Sequence, residues 1–142
     1  MAITADNCPD YVNGIIAEGM YINFYESFKN HMVGDYHQPA WPVMPLVRNW
    51  MKLYTGHDMR FGNIDIINKL NKPLLMIHSK EDKYSLPKDA VKLFEKCPHN
   101  NKMFVWFEHG AHSKLRVTDQ VKYDKAIEDF VIKFFPNNVE KQ

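Results

Sequence analysis

Asp82 and His112 each stand a few residues after an apolar run with the length and composition of a buried strand. Leu74 to His78 precedes the acid, Met103 to Phe107 precedes the histidine, and one amphipathic stretch lies between them. A carboxylate bonded to one imidazole nitrogen fixes the tautomer and stabilises the imidazolium, so the other nitrogen can take a proton from a nucleophile. Open α/β sheets place such chemistry at the carboxyl ends of parallel strands. An acid after one strand and a base after the next would deliver a pair to that edge. Asp in a turn and His in a loop are also common as unrelated surface residues, and spacing alone fits both readings.

The elements that must position this pair follow from periodicity. Val12 to Met20 contains Gly-Ile-Ile-Ala, a short apolar run suited to a strand buried on both faces. Tyr21, Phe24, Tyr25, Phe28 and Met32 recur at helical spacing and mark one face of a helix that Gly34 ends. Residues 35–62 differ in kind. Pro39, Pro42 and Pro45 break up the first half, and a helix over Val43 to Tyr54 would carry Leu46, Val47, Trp50, Met51 and Tyr54 on one side. Gly56 and Gly62 close this apolar insertion, and Asn63 to Leu70 reads as one short helical turn before Pro73.

Beyond the Leu74–His78 strand, Pro87 suits the first turn of a helix with an Ala90, Val91, Phe94 and Cys97 stripe, which Pro98 stops. Beyond Met103–Phe107, Thr118 or Asp119 would cap a last helix that buries Val121, Tyr123, Ile127, Phe130, Val131 and Phe134. Strands alternating with helices predict an α/β fold with about three parallel strands, flanking helices and a helical cap insertion.

Composition bounds the function. The chain has 142 residues, 45% of them apolar and 25% charged, which suits one folded domain over 1–142 able to bury a core. A formal charge of +1 gives no reason to expect nucleic acid or an acidic membrane as partner. Cys8 and Cys97 form no Cys-x-x-Cys pair and are expected as free thiols in a reducing compartment. With no basic patch and apolar run at the start, and no long apolar stretch, the expectation is a cytoplasmic protein without a membrane span. Histidines at 31, 37, 57, 78, 99, 109 and 112 are scattered, and no glycine-rich phosphate loop occurs. Neither a metal nor another cofactor is expected.

Lys72–Asp82, Pro87–Cys97 and Gly110–Phe135 resemble the closing segments of the α/β-hydrolase fold. There a strand ending in Ile-His-Gly-x-x-Asp brings the triad acid, a Gly-x-His-Ser-type loop brings the histidine, and a terminal amphipathic helix packs on the sheet. Gly14-Ile-Ile-Ala-Glu resembles the preceding strand, and the stretch from Tyr36 to Pro45 resembles the cap of bacterial hydrolases of esterase or peptidase-like character. The resemblance covers nearly all of this chain but only the last half of that fold. It implies Asp82 as the acid and His112 as the base. Ser79 stands where the family usually has glycine, and Pro87 lies one residue further from the acid than is common, which leaves Glu81 as a second candidate acid. His109 sits less well on the motif and is expected to be structural or exposed. The resemblance also makes Tyr36, Trp41, Trp50 and Tyr54 candidates to line an acyl or aromatic pocket. The alternative is that they pack the cap helices against the sheet.

One component has no counterpart. The family's nucleophile stands in a Gly-x-Ser-x-Gly elbow, whereas Ser27, Ser79, Ser85 and Ser113 all lack glycine two positions away. The expectation is the carboxyl-terminal portion of a serine hydrolase that would cleave a small ester or amide once a serine is supplied, and that is inactive alone. A non-catalytic assembly module is the other reading. The Gly14–Ala17 strand would be an open edge, fit to pair with an amino-terminal fragment or a second copy of the chain.

Overall fold

The computed structural model describes residues 8–136, and its core is a three-stranded parallel sheet in the order β1-β2-β3. The strands are β1 (Ile15–Glu18), β2 (Leu74–Ser79) and β3 (Lys102–Phe107). Leu74 of β2 pairs with Ile15 on one side and Lys102 on the other, so the three carboxyl ends lie together. The helices are α1 (Phe24–Gly34), α2 (Ala40–Thr55), α3 (Asn63–Ile66, continued by a 3₁₀ turn at Ile67–Lys69), α4 (Pro87–Lys96), α5 (Leu115–Thr118) and α6 (Gln120–Phe134).

All six residues of β2 are buried because both sheet faces are covered. Side chains alternate across the strand. Leu74 and Met76 pack with Ile67, Leu70, Ala90, Leu93 and Cys97 from the α3 and α4 side. Leu75 and Ile77 pack with Phe107, Leu115, Ala126 and Phe130 from the α5 and α6 side. Pro87 begins α4, and the Asp119 side chain caps α6 by accepting from the Lys122 amide at 3.0 Å.

Four details depart from the expectations. The strand expected to be buried on both faces leaves Ile16 43% exposed, because among the described residues β1 pairs only with β2 and its other edge is open. α1 opens at Phe24 with Asn23 as its cap, leaving Tyr21 outside the helix. In α4 the buried stripe runs through Ala90, Leu93 and Cys97 while Val91 is exposed; in α6 it runs through Ala126 and Phe130 while Val121 is exposed. In α2, Met44 is buried with Val47 and Met51 beside it, facing Tyr25, Phe28 and Met59, while Leu46, Trp50 and Tyr54 face solvent. A kink at Trp41, the residue before Pro42, interrupts α2, and its regular part begins at Pro42, so Pro45 there forgoes only the first intrahelical bond.

The α1–α2 pair forms its own small cluster, in which Tyr25 and Phe28 of α1 pack against Met44, Val47 and Met51 of α2 and against Met59. Arg48 of α2 forks both oxygens of Asp58, which fixes the return loop beside Tyr25. Cys8 and Cys97 are free thiols. Among the described residues no helix is long and apolar enough to cross a membrane.

Truncation should separate the sheet core from the cap surface. Ile77→Ala should cost about 2–5 kcal/mol, since Ile77 is fully buried between β1 and β3. Leu53→Ala, at a side chain 87% exposed, should stay within about 0.5 kcal/mol. Urea unfolding followed by far-ultraviolet circular dichroism measures both.

Candidate active site

The loop after β2 folds around its own aspartate. Asp82 Oδ1 accepts from the amides of Tyr84 and Ser85, at 3.0 and 2.9 Å, the local ring that aspartate favours in turns. The Ser85 hydroxyl donates to the Met20 carbonyl at 2.7 Å and ties this loop to the end of β1. Beneath it lies His78, fully buried, with Nε2 2.8 Å from the Ser85 carbonyl and 3.8 Å from Asp82 Oδ2. His78 Nδ1 is buried and has no hydrogen-bond partner among the described residues. Burial holds this imidazole below its ordinary pKa, against the opposing pull of Ser85 and Asp82.

The loop after β3 brings the histidine. Gly110 has φ +130°, and a Cβ there would lie 2.7 Å from Leu115 Cδ2, so the chain turns tightly over the buried Leu115 before it reaches His112. His112 Nδ1 stands 2.8 Å from Asp82 Oδ2. Its Nε2 makes no hydrogen bond to any described residue, and its ring borders two clefts. One, of about 600 Å³, is lined by Asp35, Glu81, Lys83, Tyr84, Gly110 and Ala111. The other, of about 350 Å³, runs along the open edge of β1 from Ile15 to Tyr21 and on to Ser113.

The electrostatics follow from this geometry. Burial pushes the Asp82 carboxyl up, but the bond from His112 and the Ser85 and Tyr84 amides outweigh it and leave the group below the usual carboxylate range. The bond to Asp82 raises His112 above an ordinary histidine, against partial burial, with smaller electrostatic help from Asp82 and Glu18. His112 therefore contributes stability that is full below the unfolded imidazole pKa and fades as pH rises through the raised folded value. Asp82 contributes stability that is present above the unfolded carboxyl pKa and lost as pH falls through the depressed one. The pair is strongest between, at about pH 4–6.5.

Glu81, the second candidate acid, does not reach His112. It accepts from His109 Nδ1 at 2.9 Å and from the Gly110 amide at 3.3 Å, clasping the two loops at the cleft mouth, with His109 80% exposed on its side chain. Tyr36, Trp41, Trp50 and Tyr54 are exposed, and none lines the cleft beside His112. Trp50 and Tyr54 stack on each other with centroids 5.4 Å apart, on the side of α2 away from the cap's packed face.

Two contributors were not identified from sequence. Tyr84 sets its ring edge-on to His112, donates its hydroxyl to Asp35 Oδ2 at 2.5 Å and accepts at its backbone carbonyl from Asn30 Nδ2 at 3.0 Å, so the α1 region grips the acid-bearing loop. An aromatic two residues after a turn aspartate is the only sequence signal for it. Gly19, with φ +59°, lies under the His112 ring, where a Cβ would be 3.0 Å from Cε1 and Nδ1. A glycine directly after a strand is its signal. None of the described serines bonds to His112. Ser85 is committed to Met20, and the Ser79 hydroxyl accepts from the Glu81 amide. Among the described residues no cluster of His, Cys, Asp or Glu could hold a metal ion.

No family model matches the chain. Over 126 residues it is 28% identical to the uncharacterized protein YqkD of Bacillus subtilis, a match over 88% of this chain and 41% of the relative. Among solved structures, the esterase Pf2001 of Pyrococcus furiosus superposes with a TM-score of 0.68 at 13% identity, over 93% of this chain and 47% of the esterase. An acylaminoacyl peptidase of Pyrococcus horikoshii superposes with a TM-score of 0.59 at 16% identity, over 93% of this chain and 21% of the peptidase. At these identities the structural likeness is one of fold, and the chain spans less than half the length of each of the three.

Two substitutions probe the pair. Asp82→Asn keeps an acceptor but removes the charge, so the His112 pKa should fall, as read by NMR titration of the imidazole. Gly19→Ala places a methyl group against the ring in a left-handed backbone; it should cost about 1–2 kcal/mol and draw the His112 titration back toward that of a free histidine. An unmoved His112 titration in either variant would contradict the geometry.

Proposed function

The described residues carry the carboxyl-terminal half of an α/β-hydrolase fold, and from that premise we propose that the chain is the acid- and base-bearing part of a serine hydrolase. The observation that carries this reading is the bond between Asp82 and His112, with the second imidazole nitrogen left unbonded beside the open edge of β1. Asp82 orients His112 and stabilises the imidazolium. His112 Nε2 takes the proton of a serine hydroxyl as that oxygen attacks the carbonyl carbon of a small ester or amide, then returns it to the leaving alcohol or amine. Water repeats the cycle on the acyl-serine and frees the acid.

The serine and the oxyanion donors belong to a segment outside this chain. That segment would sit in the edge cleft, since among the described residues β1 pairs on one side only, next to His112. No cofactor enters the reaction. The titration of His112 gives activity that rises with pH through a midpoint above that of an ordinary histidine, since only neutral imidazole accepts the proton.

Turnover of short-chain p-nitrophenyl esters tests the proposal. The chain alone should show no hydrolysis that His112→Ala removes. Assembled with the segment that supplies its serine, it should hydrolyse them, and His112→Ala should then lower kcat by about 10⁶-fold. Ester hydrolysis by the chain alone that depends on His112 would overturn the external nucleophile. An assembled protein whose activity ignores His112 would overturn the reading.

A further inference from the structure

The loop that carries His112 is held at a point the acid does not touch. Alternation along β1 directs Glu18 to the α6 side of the sheet. There Oε1 accepts from the Leu115 amide at 3.0 Å and Oε2 accepts from the Tyr123 hydroxyl at 3.0 Å. Leu115 is buried and lies 3 positions beyond His112, and its side chain sits under Gly110. Next to Glu18, Gly19 supports the imidazole ring from below. β1 thus fixes the histidine loop through one carboxylate and one bare Cα, in a contact that spans 97 residues of chain.

We propose that Glu18 is a positioning residue for His112, anchoring the Leu115 amide and the Tyr123 hydroxyl so that the Gly110–Leu115 loop holds the imidazole on Asp82. The proposal rests on the reading of His112 as the base but adds a residue that never meets the reacting atoms. Two bonds to a half-buried carboxylate are charge-assisted and stronger than neutral ones. The groups that face His112 are Asp82 and Tyr84 from the β2–α4 loop, His78 from β2, and Glu18 from β1. Those around Glu18 are Tyr123 on α6 and, beside Tyr123, Arg116 and Asp124.

Glu18→Gln and Glu18→Ala remove the same charge, but only Glu18→Ala removes the acceptor for the Leu115 amide. Their difference therefore isolates positioning from long-range charge. NMR on the chain itself reads it without any need for turnover. Amide exchange at Leu115 should be about tenfold faster in Glu18→Ala than in Glu18→Gln. The low-field proton of the His112–Asp82 bond should persist in Glu18→Gln and fade in Glu18→Ala. Identical behaviour of the two variants in both measurements would overturn the proposal. Should Glu18→Ala fail to fold, Tyr123→Phe is the starting variant. Because that variant leaves the Leu115 bond in place, the reading comes from adding Glu18→Asp to it, which keeps the charge but draws the acceptor back from the Leu115 amide: faster Leu115 exchange on that addition supports the anchor and unchanged exchange overturns it. Failure of the underlying acid–base reading shows elsewhere, as a His112 titration indifferent to Asp82→Asn.

Discussion

A carboxylate removed from water is the constraint around which this molecule is arranged. Asp82 is buried, and a buried anion is tolerated only where donors surround it. Two amides of its own turn and the imidazole of His112 supply them. Each donor needs a fixed backbone, and each backbone is fixed from a different element. Ser85 is tied to the end of β1, Tyr84 to the cap helix α1, and His112 stands on the loop after β3. The carboxyl edge of the sheet is where all of these can converge, because the three strands run parallel and end together.

The same constraint explains why the cap is more than a cover. Asn30 and Asp35 of the α1 region bond the two ends of Tyr84, whose amide bonds Asp82 and whose ring meets His112. A shift of α1 would be felt at the carboxylate through a single residue. His31 strengthens this junction, with Nδ1 2.7 Å from Asp35 Oδ2 and its ring edge-on to Tyr84.

What could be read from sequence was what depends on local pattern. β2 announces itself as an apolar run because both of its faces are covered, and β3, although only half-buried at the sheet edge, still packs Phe104 on one face and Met103 and Val105 on the other. Asp82 and His112 each follow such a run, but that position fitted unrelated residues as well, and only the resemblance to the closing segments of the α/β-hydrolase fold implied them as a pair. Patterns with two answers were not legible. α2 has apolar residues around most of its circumference, so periodicity could not say whether Leu46, Trp50 and Tyr54 or Met44, Val47 and Met51 face inward; packing against Tyr25 and Met59 decided it. In α6, the small Ala126 is buried where it fits close to the sheet, while the larger Val121 sits in the first turn facing water. Contacts that join distant segments were also invisible, such as Tyr84 with Asp35, or Gly19 with His112, since nothing in either partner's neighbourhood names the other.

The outward face of α2 bears on how this protein reports its own state. Of three tryptophans, Trp41 and Trp50 stand 75% and 61% exposed on the cap, and only Trp106 lies on the sheet, edge-on to His78 and against Phe104. Intrinsic indole emission is therefore dominated by two chromophores already in water before denaturation begins. Loss of the core would register mainly through Trp106, so a fluorescence melt of the unmodified chain would show the unfolding of the sheet as a small change on a large constant signal.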